Sequence, residues 1–170
     1  MKKITIIAAF IIAFSINAIA QTAGFVNTET ILSRIPEYAQ AQQQLERLKT
    51  QYETQIQNEV KVIENMYTQY QNEKLRLNDL QKQAKENDII LKERAVKLRQ
   101  QDIFGQDGVM AVKSKELLDP IRDFVQKAID EVAKETGTIL VFDIATTQGI
   151  IFSDPKGDLT SRVITKLRLN

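Results

Sequence analysis

The sequence predicts an α+β chain: a small β-containing body from which a long antiparallel helical hairpin protrudes. Three observations predict it. A thin apolar stripe at helical spacing runs from Ala41 to Leu77 through a stretch without Gly or Pro. A helix-capping signal follows at once around Asn78. Short β-branched and aromatic runs then stand near the two ends of the chain, FV at 25–26, TILVFD at 138–143 and GIIFS at 149–153.

The chain opens MKKITIIAAFIIAFSINAIA. Lys2 and Lys3 form a basic start, Ile4 to Ile16 is apolar apart from Thr5 and Ser15, and Ala18-Ile19-Ala20 is a small-x-small cleavage signal. This predicts a signal peptide over 1–20, cleaved after Ala20, and export to the periplasm. No Cys follows the cleavage site, which argues against a lipoprotein. Ala23 to Thr28 reads as a short strand, followed by a turn of helix through Ile35 and by Pro36 at a helix start, where proline is tolerated.

From Ala41 the apolar positions are Leu45, Leu48, Tyr52, Ile56, Val60, Ile63, Tyr67, Tyr70 and Leu77. A helix from Glu37 to Arg76 would span roughly 60 Å, far beyond an ordinary globular helix. Asn78 is a good N-cap with Gln81 three residues on, so the tip of a hairpin is expected at 77–79. The second helix is expected from about Asp79 to Glu135, stopping at Thr136-Gly137. Antiparallel pairing about the tip sets Pro120 opposite Pro36, a level that reads as the junction of arm and body. Gly105 and Gly108 then fall midway along the arm. Each glycine weakens a helix by about 1 kcal/mol relative to alanine, and Pro120 removes a backbone donor and should kink its helix. Gly105, Gly108 and Pro120 are therefore candidate arm hinges.

Around and beyond Pro120, the wide apolar face of Leu117, Leu118, Ile121, Phe124, Val125, Ala128, Ile129, Val132 and Ala133 predicts a core-facing helix. The two strands follow, then a DPKGD turn at 154–158 and a last helix capped by Asp158 or Thr160. The arm is thus 37–119, and the body is discontinuous over 21–36 and 120–170. A body of roughly 70 residues without a disulfide is marginal by itself. Phe25, Val26, Leu140, Val141, Phe142, Ile150, Ile151 and Phe152 exceed what one small sheet face needs, so the body is expected to self-associate through them.

Composition narrows the function classes. The chain has no Cys, no His and no Trp. Ser/His and Cys/His catalytic sets are therefore impossible, and the commonest general base and metal ligand are missing. No Gly-rich phosphate loop is present, since DPKGDLT lacks the spacing. No enzyme activity, metal or cofactor is expected. Removing Lys2 and Lys3 with the leader leaves 21 basic against 22 acidic residues, a net charge of −1, which does not suit a nucleic-acid binder.

The whole of the chain after the leader resembles the Skp (outer-membrane protein H) family of periplasmic chaperones. The residues that carry the resemblance are GFVNTETILSRIPE, QAKE after the tip, LLDPI, AIDEVAKETG and TILVFDIATTQGIIFSDPKGDLTSRVITKL. The resemblance implies a jellyfish-like homotrimer, joined through its β-containing bodies, with three helical hairpins around a cavity. It implies an ATP-independent holdase for unfolded outer-membrane proteins. The alternative class is an envelope adaptor that docks through its hairpin.

Two sets of arm residues are candidates for contact. Met66, Tyr67, Tyr70, Ile89 and Ile90 either hold unfolded clients or pack the hairpin seam; spacing favours the seam for Tyr67 and Tyr70. Lys82, Lys85, Lys92, Arg94, Lys97 and Arg99 make a mildly basic face near the tip, suited to acidic client segments, to an anionic lipid surface, or simply to solvent.

Overall fold

A computed structural model describes residues 22–169. The expected signal peptide and its cleavage site lie outside the described residues. The chain divides into two compact units. One holds the residues up to Arg34 together with those from Val125 onward; the other is Ile35–Phe124.

In the first unit, β1 (Thr22–Val26) and β2 (Thr138–Asp143) form a two-stranded parallel sheet. Ala23 pairs with Leu140, Gly24 with Val141, Phe25 with Phe142 and Val26 with Asp143, with an irregularity between Thr22 and Ala23. A parallel pair needs a crossover rather than a tight turn, and here residues 27–137, with every helix but the last, are that crossover. Helix α1 (Thr28–Leu32) follows β1, with the Asn27 side chain accepting from Thr30 N–H as its N-cap. Val26, Ile31 and Val163 are fully buried, and Val125, Ala128, Ile129, Val132, Leu159 and Leu167 are nearly so. Gly24 is closely approached: a Cβ there would lie 2.9 Å from Leu159 Cδ1 and 3.3 Å from the Gly157 carbonyl oxygen, so a larger residue would make the Leu159 side chain move.

The expected strand at 149–153 is not formed. Residues 147–154 are irregular, with Gly149 at φ +89°. The outer edge of β1 is already occupied, and among the described residues nothing pairs with the outer edge of β2. Phe25 bridges Asp158, and Leu159 N–H donates to the Phe25 carbonyl at 2.9 Å. The 3₁₀ turn Pro155–Gly157 brings the chain there. The last helix, α5 (Thr160–Lys166), has Leu159 as its N-cap and no side-chain cap bond. Asp158 instead accepts from Thr160 N–H at 2.8 Å.

The second unit is the hairpin. Helix α2 (Pro36–Glu73) runs 38 residues from a proline at its first position. It tightens into a 3₁₀ turn at Lys74–Arg76, and Leu77 turns the chain. Asn78 and Gln81 make the reciprocal capping box that opens α3 (Asp79–Phe104). The second arm helix is not continuous, as it was expected to be. It ends at Phe104, and four residues separate it from α4 (Val109–Thr136). Gly105 has φ −65° and ψ 172°, and its N–H caps the Gln101 carbonyl at 2.7 Å. Conversely, α4 runs through the exposed Pro120 without interruption. It ends where expected, at Thr136, with Gly137 at φ +66°.

Candidate functional site

The arm is held by a single seam. Ile63, Tyr70 and Ile89 form its buried cluster, with Met66, Leu77 and Val96 packed against it. Toward Pro36 the inward positions of α2 continue through Glu59, Ile56, Tyr52, Leu48, Leu45 and Ala41. This corrects the expected stripe at two places. Val60 and Tyr67, which the spacing puts on the seam, are 40% and 54% exposed, while Glu59 and Met66 take their places. The cause is angular drift. Each four-residue step overshoots a turn by about 40°, so the third consecutive one, from Ile56 to Val60, leaves the seam. A three-residue step to Glu59 restores it.

Glu59 is accommodated there because Arg99 of α3 reaches across to its carboxylate. Nearer the tip, Lys85 meets Glu73 at 2.7 Å. The Tyr70 hydroxyl donates to Glu86, and Lys74 Nζ stands 5.4 Å from the Tyr70 ring centroid. The bond to Glu86, with burial and the nearby negative charge, pushes the Tyr70 phenol up to about 12.

The five candidate client residues therefore divide. Tyr70 and Ile89 are buried in the seam and Met66 is half-buried against it; Tyr67 and Ile90, at 54% and 53% exposure, face solvent. The basic face divides too. Lys82 pairs with Asp79, Lys85 with Glu73 and Arg99 with Glu59. Lys92, Arg94 and Lys97 are exposed and make no salt bridge among the described residues.

The body carries an apolar surface. Leu140, Phe142, Ile150, Ile151 and Phe152 are 40% exposed or more, while Phe25 and Val141 are half-buried. Val26 is the exception, since at 2% exposure it belongs to the chain's own core. Phe25, Phe142 and Ile150 to Phe152 line a groove of about 890 Å³.

Sequence reasoning missed the polar clamp that ties the two strand ends together. Asp143, the last residue of β2, accepts from Thr28 N–H at 3.1 Å, Thr28 Oγ1 at 2.7 Å, Ala145 N–H at 3.0 Å and Thr146 Oγ1 at 3.0 Å. Burial pushes its carboxyl up, but these four donors outweigh burial and hold it below the ordinary aspartate value. The available signal was the DIATT run after a strand, which reads as an Asx turn. Thr160 Oγ1 similarly accepts from Asn27 N–H at 2.9 Å.

Among the described residues, no cluster of His, Cys, Asp or Glu could hold a metal ion, and no helix is long and apolar enough to cross a membrane. No curated protein matches the chain. Its fold is similar to the crystal structure of an OmpH-like protein of Caulobacter crescentus CB15 assigned as an outer membrane chaperone. The TM-score is 0.65 at 11% sequence identity, covering 89% of this chain and 86% of that one. Identity so low shows a shared fold alone. The family model described as outer membrane protein (OmpH-like) matches residues 22–167, nearly all that the structure describes. The chain belongs to that OmpH-like family.

Proposed function

We propose that the chain is a periplasmic holdase chaperone, not an enzyme. In this reading it binds unfolded outer-membrane proteins without ATP, as a homotrimer joined through its bodies, with the clients held between the arms. Family membership across residues 22–167 carries the reading. Two features of the chain support it. The body exposes Leu140, Phe142, Ile150, Ile151 and Phe152, and the last four line one groove, which is the kind of apolar exposure that marks an interaction surface. The arm buries only a thin seam, and its remaining surface is mostly polar, with exposed apolar side chains such as Tyr67, Ile90, Leu91 and Leu98 spaced along it. A surface of that kind offers many weak contacts and no dry groove, which suits a protein that must let its client go. The exposed Lys92, Arg94 and Lys97 add contacts for acidic client segments or an anionic lipid surface.

An unfolded β-barrel protein diluted from urea should stay soluble in excess chaperone without nucleotide. Turbidity rising equally fast with and without the chaperone would overturn the reading. Light scattering should give three protomers per particle. Val141→Asp should unfold the body or dissociate the assembly, because it sets an unpaired charge beside Val26, Ile129 and Ala133 on the half-buried face of β2. A folded monomer at micromolar concentration would refute the body-joined assembly.

A further inference from the structure

Helix α3 is apolar on two opposite faces. Ile89, Val96 and Ile103 face the hairpin seam or its continuation and are buried or half-buried. Leu80, Leu91 and Leu98 are 78%, 61% and 53% exposed. At about 100° per residue these three leucines fall within about 20° of one another, on a line about 160° round the helix from the buried set. Ala84 lies beside that line. The full spacing is Leu80, Ala84, Asn87, Leu91, Arg94, Leu98, with steps of 4, 3, 4, 3 and 4. That is the alternation of a coiled-coil seam, and nothing in its own hairpin covers it.

We propose that this stripe is a second, homotypic seam, through which α3 pairs in parallel and in register with α3 of another copy of this chain in the same oligomer. The flanking residues select that partner and that direction. In a parallel pair, each residue preceding an Ala84-type position lies across from the residue five further on in the partner. Lys97 then faces an aspartate at 102, Gln83 faces Asp88, and Ile90 extends the apolar strip against Ala95. In an antiparallel pair that overlays the same six positions, Leu80 on Leu98 and Asn87 on Leu91, residues of the same flank oppose each other, which sets Asp88 against its own copy, like charge against like. Parallel arms are also what assembly through the bodies supplies, and in this respect the inference rests on the reading above. Tethering in one particle gives the helices a high effective concentration, so a weak seam suffices.

The seam is built to be weak. Asn87 and Arg94 occupy two of its six core positions. A polar residue there fixes register while lowering stability, and the Arg94 guanidinium, which must leave water and in register meets its own copy, lowers it further. The pairing closes the arms when no client is present, and a client that enters between them displaces it. Closure is thereby a client-regulated state of the chaperone.

The chain contains no cysteine, so single introduced thiols report the contact directly. Leu91→Cys and, separately, Leu98→Cys are oxidised mildly in the client-free mature protein. Lys92→Cys, one residue off the stripe, is the control. Protomer-to-protomer disulfide should form about ten-fold faster at 91 and 98 than at 92, at a rate independent of protein concentration. It should slow toward the control rate when an unfolded β-barrel is added. Equal rates at 91 and 92 overturn the seam. A rate proportional to protein concentration also overturns it, since contact would then be between separate particles. Disulfide to a cysteine-bearing client, with none between protomers, assigns the stripe to the client instead. Light scattering on the same samples keeps the two readings apart: trimers that do not cross-link sink only the seam, whereas monomers sink the body-joined assembly.

Discussion

Replacing Asp143 by alanine tests how the body is closed. The carboxylate joins residues 115 positions apart in sequence, taking both the N–H and the hydroxyl of Thr28 while also closing its own turn with Ala145 and Thr146. A hydrogen bond to a charged group contributes about 1.5–3 kcal/mol, but bonds to one shared acceptor are not additive and Asp143 is only partly buried. A loss of about 2–3 kcal/mol at neutral pH is therefore expected for Asp143→Ala. Its pH dependence has a definite sign. The native carboxyl lies below the ordinary value of 3.8, so its contribution is fully present above that value. It is lost as the pH falls through the lower native value, because the unfolded chain takes up the proton first. Urea midpoints of wild type and Asp143→Ala should be measured at one protomer concentration, from neutral pH into the acid range. The other carboxylates act alike in both proteins, so the difference between the two curves isolates Asp143. The curves should lie apart at neutral pH and converge in acid. Parallel curves would show that the clamp is not what the carboxylate supplies.

Three further outcomes follow from named geometry. In Tyr70→Phe the ring packing stays and the bond to Glu86 goes, so the arm should melt slightly earlier; in the parent, one of the four tyrosines should titrate near 12 rather than near 10.0. The raised phenol contributes stability that is present below the unfolded value and is lost as the pH rises through about 12; a raised phenol that is still present in Tyr70→Phe, or absent from the parent, would exclude the bond. Gly105→Ala with Gly108→Ala should lower the melting temperature, because the added Cβ atoms would stand 2.4 Å from the Gln101 carbonyl oxygen and 2.7 Å from that of Ile103; a rise would mean that continuous helix has replaced the break. Gly137→Ala should cost about 1–2 kcal/mol from left-handed backbone strain alone, since φ is +66° and nothing lies within 4 Å of the new methyl; no change in the urea midpoint would contradict it.

Features set by local chemistry were legible in the sequence. The Asn78–Gln81 capping box, the helix stop at Gly137 and the strand at 138–143 depend on residues within a few positions of one another. Features set by pairing over distance were less so. GIIFS has the composition of a strand, but composition cannot show that Asp158 and Leu159 have taken the free edge of β1. The exchange of Val60 and Tyr67 for Glu59 and Met66 follows from accumulated helical phase, and it became readable only once the Arg99 partner of Glu59 was placed. The clamp at Asp143 joins ends separated by the whole arm, and one sequence carries no mark of that meeting. At Gly105 and Gly108 the weakness was legible and its form was not, because a soft helix and a capped break begin from the same two residues.

The energetics of the arm follow from how little it buries. Along α2 only Ala41, Ile63 and Tyr70 are fully buried, and along α3 only Ile89 and Ile103. The pairs that join the two helices, Glu73 with Lys85 and Glu59 with Arg99, are substantially exposed. Surface pairs of this kind contribute about 0–1 kcal/mol each. Tertiary packing therefore gives the hairpin little margin, and its order depends on helix formation itself, in a 38-residue helix without an interior glycine or proline and in a capped partner of 26 residues. Such an arm is stiff along each helix and yielding where the helix ends. Bending should concentrate at Gly105–Gly108 and at the 3₁₀ turn of the tip, and hydrogen exchange should find these segments the least protected of the arm. Protection as high there as at Ile63 and Ile89 would mean that the arm moves as one rigid rod, and that any fitting to clients of different size takes place elsewhere.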